Sequence, residues 1–166
     1  MKLKYTTALF TVALLAISIL TTGCEEEECP LTTQSVARFD FRSSQTNGSV
    51  KLSEGATITG IATIADKQDV DTLFNQAQSY MSVPLSYTDK TTYVMHYTEL
   101  MRDTIVISHR NIPFVSNIEC GAMMYYEVLA LSYTTNALDS VTLVNPRITN
   151  EETTNFNIYY RVTDTE

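Results

Sequence analysis

The 166-residue sequence predicts an all-β fold, an antiparallel β-sandwich of about seven to nine strands. Three observations carry that expectation. Apolar residues recur at every second position in most apolar runs, which is the period of a half-buried strand. Asn, Gly and Pro residues punctuate these runs at near-regular spacing, as turns between short strands do. Only one segment shows helical spacing.

The elements follow in order along the chain. Residues 36–42 place Ala37, Phe39 and Phe41 on one face and Arg38, Asp40 and Arg42 on the other, so one side belongs to a core and the other to solvent. A turn is expected from Ser43 to Gly48, with Asn47-Gly48 as its centre. Residues 57–64 form a weaker strand after Glu54-Gly55. Between 70 and 79, Val70, Leu73, Phe74 and Ala77 stand three and four apart, which predicts a short helix. Residues 83–85 add another weak strand, and residues 91–98 set Tyr93, Met95 and Tyr97 against Val94, His96 and Thr98. Residues 104–108 and 140–144 are short β-branched runs, each approached through an aspartate, Asp103 or Asp139. Asn111 to Pro113, Asn136 and Asn145-Pro146 read as turns. Residues 123–131 are apolar on both alternating faces apart from Glu127, which predicts a central strand covered on both sides or one at an interface. Gly121 just before it suits a tight turn or bulge. In residues 156–162, Phe156, Ile158, Tyr160 and Val162 alternate with Asn157, Tyr159 and Arg161. The immunoglobulin arrangement is one candidate topology for such a set.

The N-terminus reads as an address. Lys2 and Lys4 precede an uncharged, largely apolar stretch through Leu20, on the short side for the about 20 residues of a spanning helix and suited to a signal peptide. Leu20-Thr21-Thr22-Gly23-Cys24 looks like a bacterial lipobox, so residues 1–23 are the expected signal and Cys24 the lipidated first mature residue. Several acyl chains give stable membrane attachment where one does not. Glu25 to Glu28 repel one another and make residues 24–34 an extended acidic tether, leaving 35–166 as the folded domain. With Cys24 consumed by lipid, Cys29 and Cys120 remain either as a disulfide, closing a loop of about 90 residues, or as two thiols.

Charge and composition exclude several function classes. Loss of the signal leaves nine basic and 19 acidic side chains, and nothing like the Lys/Arg cluster that neutralises phosphate, so no nucleic-acid partner is expected. The two histidines, His96 and His109, are expected at surface or half-buried positions rather than in a zinc site of three or four ligands, and no metal or cofactor is expected. No Gly-x-Ser-x-Gly elbow is present, and Cys120 is better explained by a bridge or burial than by pairing with a histidine for catalysis. Glu151-Glu152 reads as a solvated turn. No catalytic residue is therefore assigned. Ten tyrosines and no tryptophan leave Tyr125-Tyr126 and Tyr159-Tyr160 as weak binding candidates, because each pair puts one ring on either face of a strand and outward rings suit glycans or proteins.

Asp103-Thr104-Ile105-Val106-Ile107-Ser108 and Phe114-Val115-Ser116-Asn117-Ile118-Glu119-Cys120-Gly121 resemble segments of a family of small Bacteroidetes lipoproteins of uncharacterised function. The closing Asp139-Ser140-Val141 and Asn157-Ile158-Tyr159-Tyr160 are similar as well, and the resemblance covers most of residues 24–166. It implies an all-β lipoprotein and no activity to carry over. The acidic run after Cys24 resembles that group's surface-export signal. Asp71-Thr72-Leu73, Asp103-Thr104-Ile105 and Asp139-Ser140-Val141 match its O-glycosylation pattern, making Thr72, Thr104 and Ser140 weak acceptor candidates. The expected protein is a lipid-anchored outer-membrane lipoprotein at the cell surface, a non-enzymatic binding or structural accessory subunit with a protein or glycan partner. The alternatives are a small envelope hydrolase or redox enzyme whose site is assembled only by folding, and a periplasm-facing envelope subunit.

Overall fold

A computed structural model describes residues 34–52, 57–64, 67–74, 78–115 and 120–161. The signal, Cys24, the glutamate run and Cys29 lie outside these residues, as does Val162 at the other end. Ten strands and no helix occur among the described residues: β1 (Val36–Ser43), β2 (Thr57–Ile64), β3 (Lys67–Phe74), β4 (Tyr80–Pro84), β5 (Lys90–His96), β6 (Arg102–Val115), β7 (Ala122–Tyr133), β8 (Leu138–Leu143), β9 (Arg147–Ile148) and β10 (Phe156–Tyr160). Since β9 is only two residues long, nine strands are of ordinary length. They form one sheet in the order β4-β1-β10-β8 and a second in the order β3-β2-β5-β6-β7-β9.

The alternation in β1 does what its period dictates. Ala37, Phe39 and Phe41 are fully buried, while the residues between them are only partly so. Phe39 lies opposite Phe156 in a parallel β1/β10 pairing, and the two rings stack at 4.6 Å. The other strand pairings are antiparallel. Across the layers Phe39 meets Tyr93 of β5 edge to face at 5.7 Å, and the Tyr93 hydroxyl donates to the Pro84 carbonyl at 2.8 Å. Each such ring removes enough apolar surface from water to contribute about 2–3 kcal/mol. Burial also pushes the Tyr93 hydroxyl far above its ordinary range, so it stays a neutral donor. Ile105 and Ile107 of β6, Tyr126 and Val128 of β7, and Val141 of β8 complete the same core from both sheets.

Three local expectations need correction. Of the helix expected over 70–79, residues 70–74 belong instead to β3, an edge strand whose Val70 lies opposite Ile61 of β2, and residues 75–77 lie outside the described residues. Val70 also alternates with Asp69 and Asp71, so the segment carried a period of two beneath its helical spacing. The backbone pairing offered by β2 selected that period. The turn expected at Asn111 to Pro113 lies inside β6, a strand of 14 residues. β5 accompanies β6 only as far as Ser108, so Pro113 stands where β7 is the strand paired with it and its missing N–H is not needed on the open side. Finally, β7 is not covered on both sides: Tyr126 and Val128 face the core, but Leu129 is 64% exposed. Leu129 is the extra residue of a register shift at Ser108/His109, which moves the core-facing set from Tyr126 and Val128 to Leu131 beyond it. The expected turns at Asn47 and Gly121 hold, with φ of 58° and 79° respectively.

Candidate functional site

Beyond Ser108 the β6–β7 hairpin runs past β5, and its outer face gathers side chains that no core requires. Register alone aligns Arg110 with Glu127, and Glu127 with Arg147 of β9, giving an Arg–Glu–Arg row across three strands. Arg110 and Glu127 form an ion pair. Arg147 makes no ion pair among the described residues. Its backbone is held instead, the N–H donating to Asn145 Oδ1 at 3.0 Å and the carbonyl accepting from the buried Asn155 Nδ2 at 3.0 Å. One step along the face, Ile112 lies opposite Tyr125, and the Tyr125 ring stacks on Phe114 at 4.7 Å with an interplanar angle of 14°. The Tyr125 hydroxyl donates to Asn150 Oδ1 at 2.9 Å, which fixes the ring. Arg110, Ile112, Glu127, Pro146 and Arg147 line an open cleft of about 420 Å³ beside this stack. The combination can hold a flat, partly apolar group next to a negative charge.

The structure separates the four tyrosine candidates. Tyr125 and Tyr159 are half-buried on the outer faces of the two sheets. Tyr126 and Tyr160 are corrected: at 3% and 8% exposure they are core residues and offer no ligand surface. Tyr126 packs edge to face on His109 at 5.1 Å, and the Tyr160 hydroxyl meets that of Tyr97 at 3.1 Å. Burial raises both hydroxyl pKa values. Tyr159 lies in register with Arg42, but the cations of that face already have partners. Arg38 bonds Asp40 at 3.2 Å and covers the Tyr80 ring at 4.2 Å, and Arg42 bonds Asn157 at 3.1 Å. The hairpin face is therefore the better candidate.

His109 is also corrected: it is neither at the surface nor half-buried, but inside β6 at 1% exposure. Its Nδ1 lies 2.8 Å from Asn111 Oδ1, while Asn111 Nδ2 donates to the carbonyls of Tyr87 and Thr88. Its Nε2 lies 2.8 Å from Thr91 Oγ1, which accepts the Ser86 N–H at 2.9 Å. This arrangement selects the neutral tautomer with the proton on Nδ1, donating to Asn111 and accepting from Thr91. Burial lowers the ring's pKa, against smaller opposing effects of Asn111 and Asp89. His96 is half-buried in a shallow groove with Thr57, Thr59, Thr98 and Glu99. Among the described residues no three of His, Cys, Asp and Glu come together as a metal site.

Asp103, in the sequence no more than the approach to a strand, has a structural role that its neighbours along the chain do not signal. Asp103 is fully buried and accepts from Thr134 Oγ1, Asn136 N, Ala137 N and Leu138 N at 2.7–2.9 Å. Desolvation opposes its charge, but these four donors prevail and hold its pKa below the usual carboxylate value. A lone aspartate before a β-branched run carries no signal of such a latch.

Of the acceptor candidates, Thr104 is half-buried within β6, and its backbone exchanges hydrogen bonds with Thr134 in both directions. Ser140 is half-buried in β8, and Thr72 belongs to the backbone of β3 with its side chain outside the described set. Cys120 sits in the turn before Gly121 and is engaged rather than free, while Cys29 lies outside the described residues.

A model of a family of unknown function (DUF6452) matches residues 56–160. The match ends with the last residue of β10 and leaves out β1, although β1 supplies Phe39 and Phe41 to the common core. Comparison with curated proteins and with solved structures returns no match.

Proposed function

The chain belongs to the DUF6452 family of unknown function, and on that premise we propose that it is a lipid-anchored outer-membrane lipoprotein of the Bacteroidetes type that acts as a non-enzymatic, surface-exposed binding subunit. The single observation that supports a binding role is the outer face of the β6–β7 hairpin. There a stacked Phe114–Tyr125 pair shares the face that carries the Arg110–Glu127–Arg147 row, and the Arg147 guanidinium has no carboxylate partner among the described residues. Recognition sites combine apolar and aromatic surface with a few placed polar groups in this way.

The anchor rests on the sequence around Cys24, with Glu25 to Glu28 as its solvated spacer. A Cys29–Cys120 disulfide fits this arrangement, since Cys120 is engaged and Cys24 would be occupied by lipid. The five residues from Cys24 to Cys29 span at most about 17 Å, so the bridge would hold the Cys120 end of the hairpin close to the membrane.

Metabolic labelling with radioactive palmitate, combined with protease shaving of whole cells, tests the reading. The expected protein is labelled, loses its label in Cys24→Ser, and is cleaved from intact cells. A labelled protein that resists shaving faces the periplasm, and an unlabelled one defeats the anchor.

A further inference from the structure

We infer that the cleft between β6, β7 and β9 binds an acidic saccharide, its carboxylate held by Arg147 and its ring lying against the Phe114–Tyr125 stack. The inference rests on the binding role proposed above and names the chemistry of the ligand.

Charge selects an anion. The cleft holds two guanidinium groups and one carboxylate, in a chain where 19 acidic residues face 11 basic ones. Arg110 already pairs with Glu127, so Arg147 is the guanidinium of this cleft without a carboxylate among the described residues, and a planar guanidinium meets a carboxylate through two parallel hydrogen bonds. Spacing selects a ring. Tyr125 and Glu127 are two residues apart on one strand face, about 7 Å, so the aromatic surface and the Arg–Glu–Arg row are separated by the width of one sugar ring. Tyr125 is held by Asn150 and by Phe114, so its surface is preorganised rather than assembled on binding.

The same geometry disfavours an acidic peptide. An extended peptide adds to a sheet by pairing with an open strand edge. At this point the edge of β7 is occupied, because Tyr126 and Glu127 pair with Ile148 and Arg147, and the Val128 N–H is taken by the Pro146 carbonyl at 2.8 Å. What remains to a ligand is ring surface and guanidinium.

The test is calorimetric titration of the full mature lipoprotein in detergent with three probes: a galacturonate oligosaccharide, the matching neutral galactose oligosaccharide, and triglutamate. The galacturonate is expected to bind at least tenfold more tightly than either comparator, with affinity falling as salt rises. Arg147→Ala and Tyr125→Ala should each lose tenfold or more. Tyr125→Phe, which keeps the ring but loses its tie to Asn150, should fall between the parent and Tyr125→Ala, and Arg161→Ala, beyond the other sheet, should bind as the parent does. Thermal melting of each variant confirms that it is folded. Equal binding of the neutral sugar, or unchanged binding by a folded Arg147→Ala, overturns the acidic ligand while leaving a binding role in place. Equal binding of triglutamate overturns the saccharide. Absence of binding by any probe overturns the inference as a whole, whereas the anchored surface reading stands or falls separately on labelling and shaving.

Discussion

Asp103→Asn is the sharpest test of the fold's internal logic. The side chain is fully buried, and its two oxygens accept four hydrogen bonds, three of them from consecutive backbone N–H groups of the β7–β8 connection. An asparagine of the same shape can keep Ala137 N and Leu138 N on its amide oxygen, but its NH2 group then faces the remaining donors. Thr134 can rotate its hydroxyl to accept, whereas Asn136 N–H is left opposed to another N–H. Hydrogen bonds to a charged group contribute about 1.5–3 kcal/mol and neutral ones about 1, so weakening two bonds costs about 2 kcal/mol. Stranding one partly buried donor adds about 1–2, for a total of about 3–4 kcal/mol. That is a large share of the about 5–15 kcal/mol by which domains of this size are stable. Urea denaturation followed by circular dichroism at pH 7 should show the midpoint falling with little change in slope. Asp139→Asn, which breaks only an exposed pair with Arg161, is the control and should cost under about 1 kcal/mol. A loss below about 1 kcal/mol for Asp103→Asn would show that water or local rearrangement satisfies these donors, and the latch would be wrong.

His109 has a folded pKa below its ordinary 6.5. Its stabilising contribution is therefore present above the unfolded pKa and is lost as pH falls below about 6.5, at up to about 1.4 kcal/mol per pH unit. Urea midpoints at pH 7.5, 6.5 and 5.5 should converge for wild type and His109→Gln as the pH drops; parallel curves would refute the neutral buried ring. Asp103, also lowered, acts in a separate window, its contribution persisting to below about pH 4 and then disappearing on further acidification. Gly121→Ala meets nothing within 4 Å of the added carbon, so its cost comes from the positive φ alone, about 1–2 kcal/mol by thermal melting. Phe39→Ala should cost about 3–5 kcal/mol and the exposed Leu129→Ala under about 0.5, and comparable losses would contradict the assigned faces of β1 and β7. Peptide mapping without reductant should recover Cys29 linked to Cys120, and Cys120→Ser should then lose up to about 4–5 kcal/mol. Recovery of either peptide with a free thiol argues against the bridge.

Strand identity was readable wherever one face of a strand is apolar and the other polar, as with Phe39 and Phe41 against Arg38 and Asp40. There the burial pattern is written directly in the residue types. It failed where the deciding partner is distant in sequence. Nothing within residues 67–74 announces that β2 stands ready to pair, and nothing around Pro113 shows that β5 has already ended beside β6. The same cause hid most of the candidate site. Tyr125 could be singled out as one of an adjacent pair, but which member faces outward depends on the register shift at Ser108/His109. Arg110, Glu127 and Arg147 are ordinary surface residues in the chain, and only three-strand register aligns them. Asp103 and His109 were legible as residues and illegible as roles, because their partners at 134–138 and 86–91 come from other elements.

The β6–β7 hairpin is where these threads meet. A two-stranded ribbon extending past its sheet is marginal in water by itself. Here its overhang is tied down repeatedly: His109 N–H bonds Asp89 O at 2.9 Å, Asn111 bonds the carbonyls of Tyr87 and Thr88, β9 pairs along Tyr126 and Glu127, and Phe114 stacks on Tyr125. The β9 pairing also brings Ile148 beside Tyr126 in the main core, whereas Asn111 and the Phe114–Tyr125 stack lie outside it. Their combined effect is to hold an exposed face rigid. A face that merely capped the sandwich could end at Asn111, opposite the core residue Tyr126. One that must present Tyr125 and Arg147 to a ligand at fixed spacing needs both the added length and the added restraint.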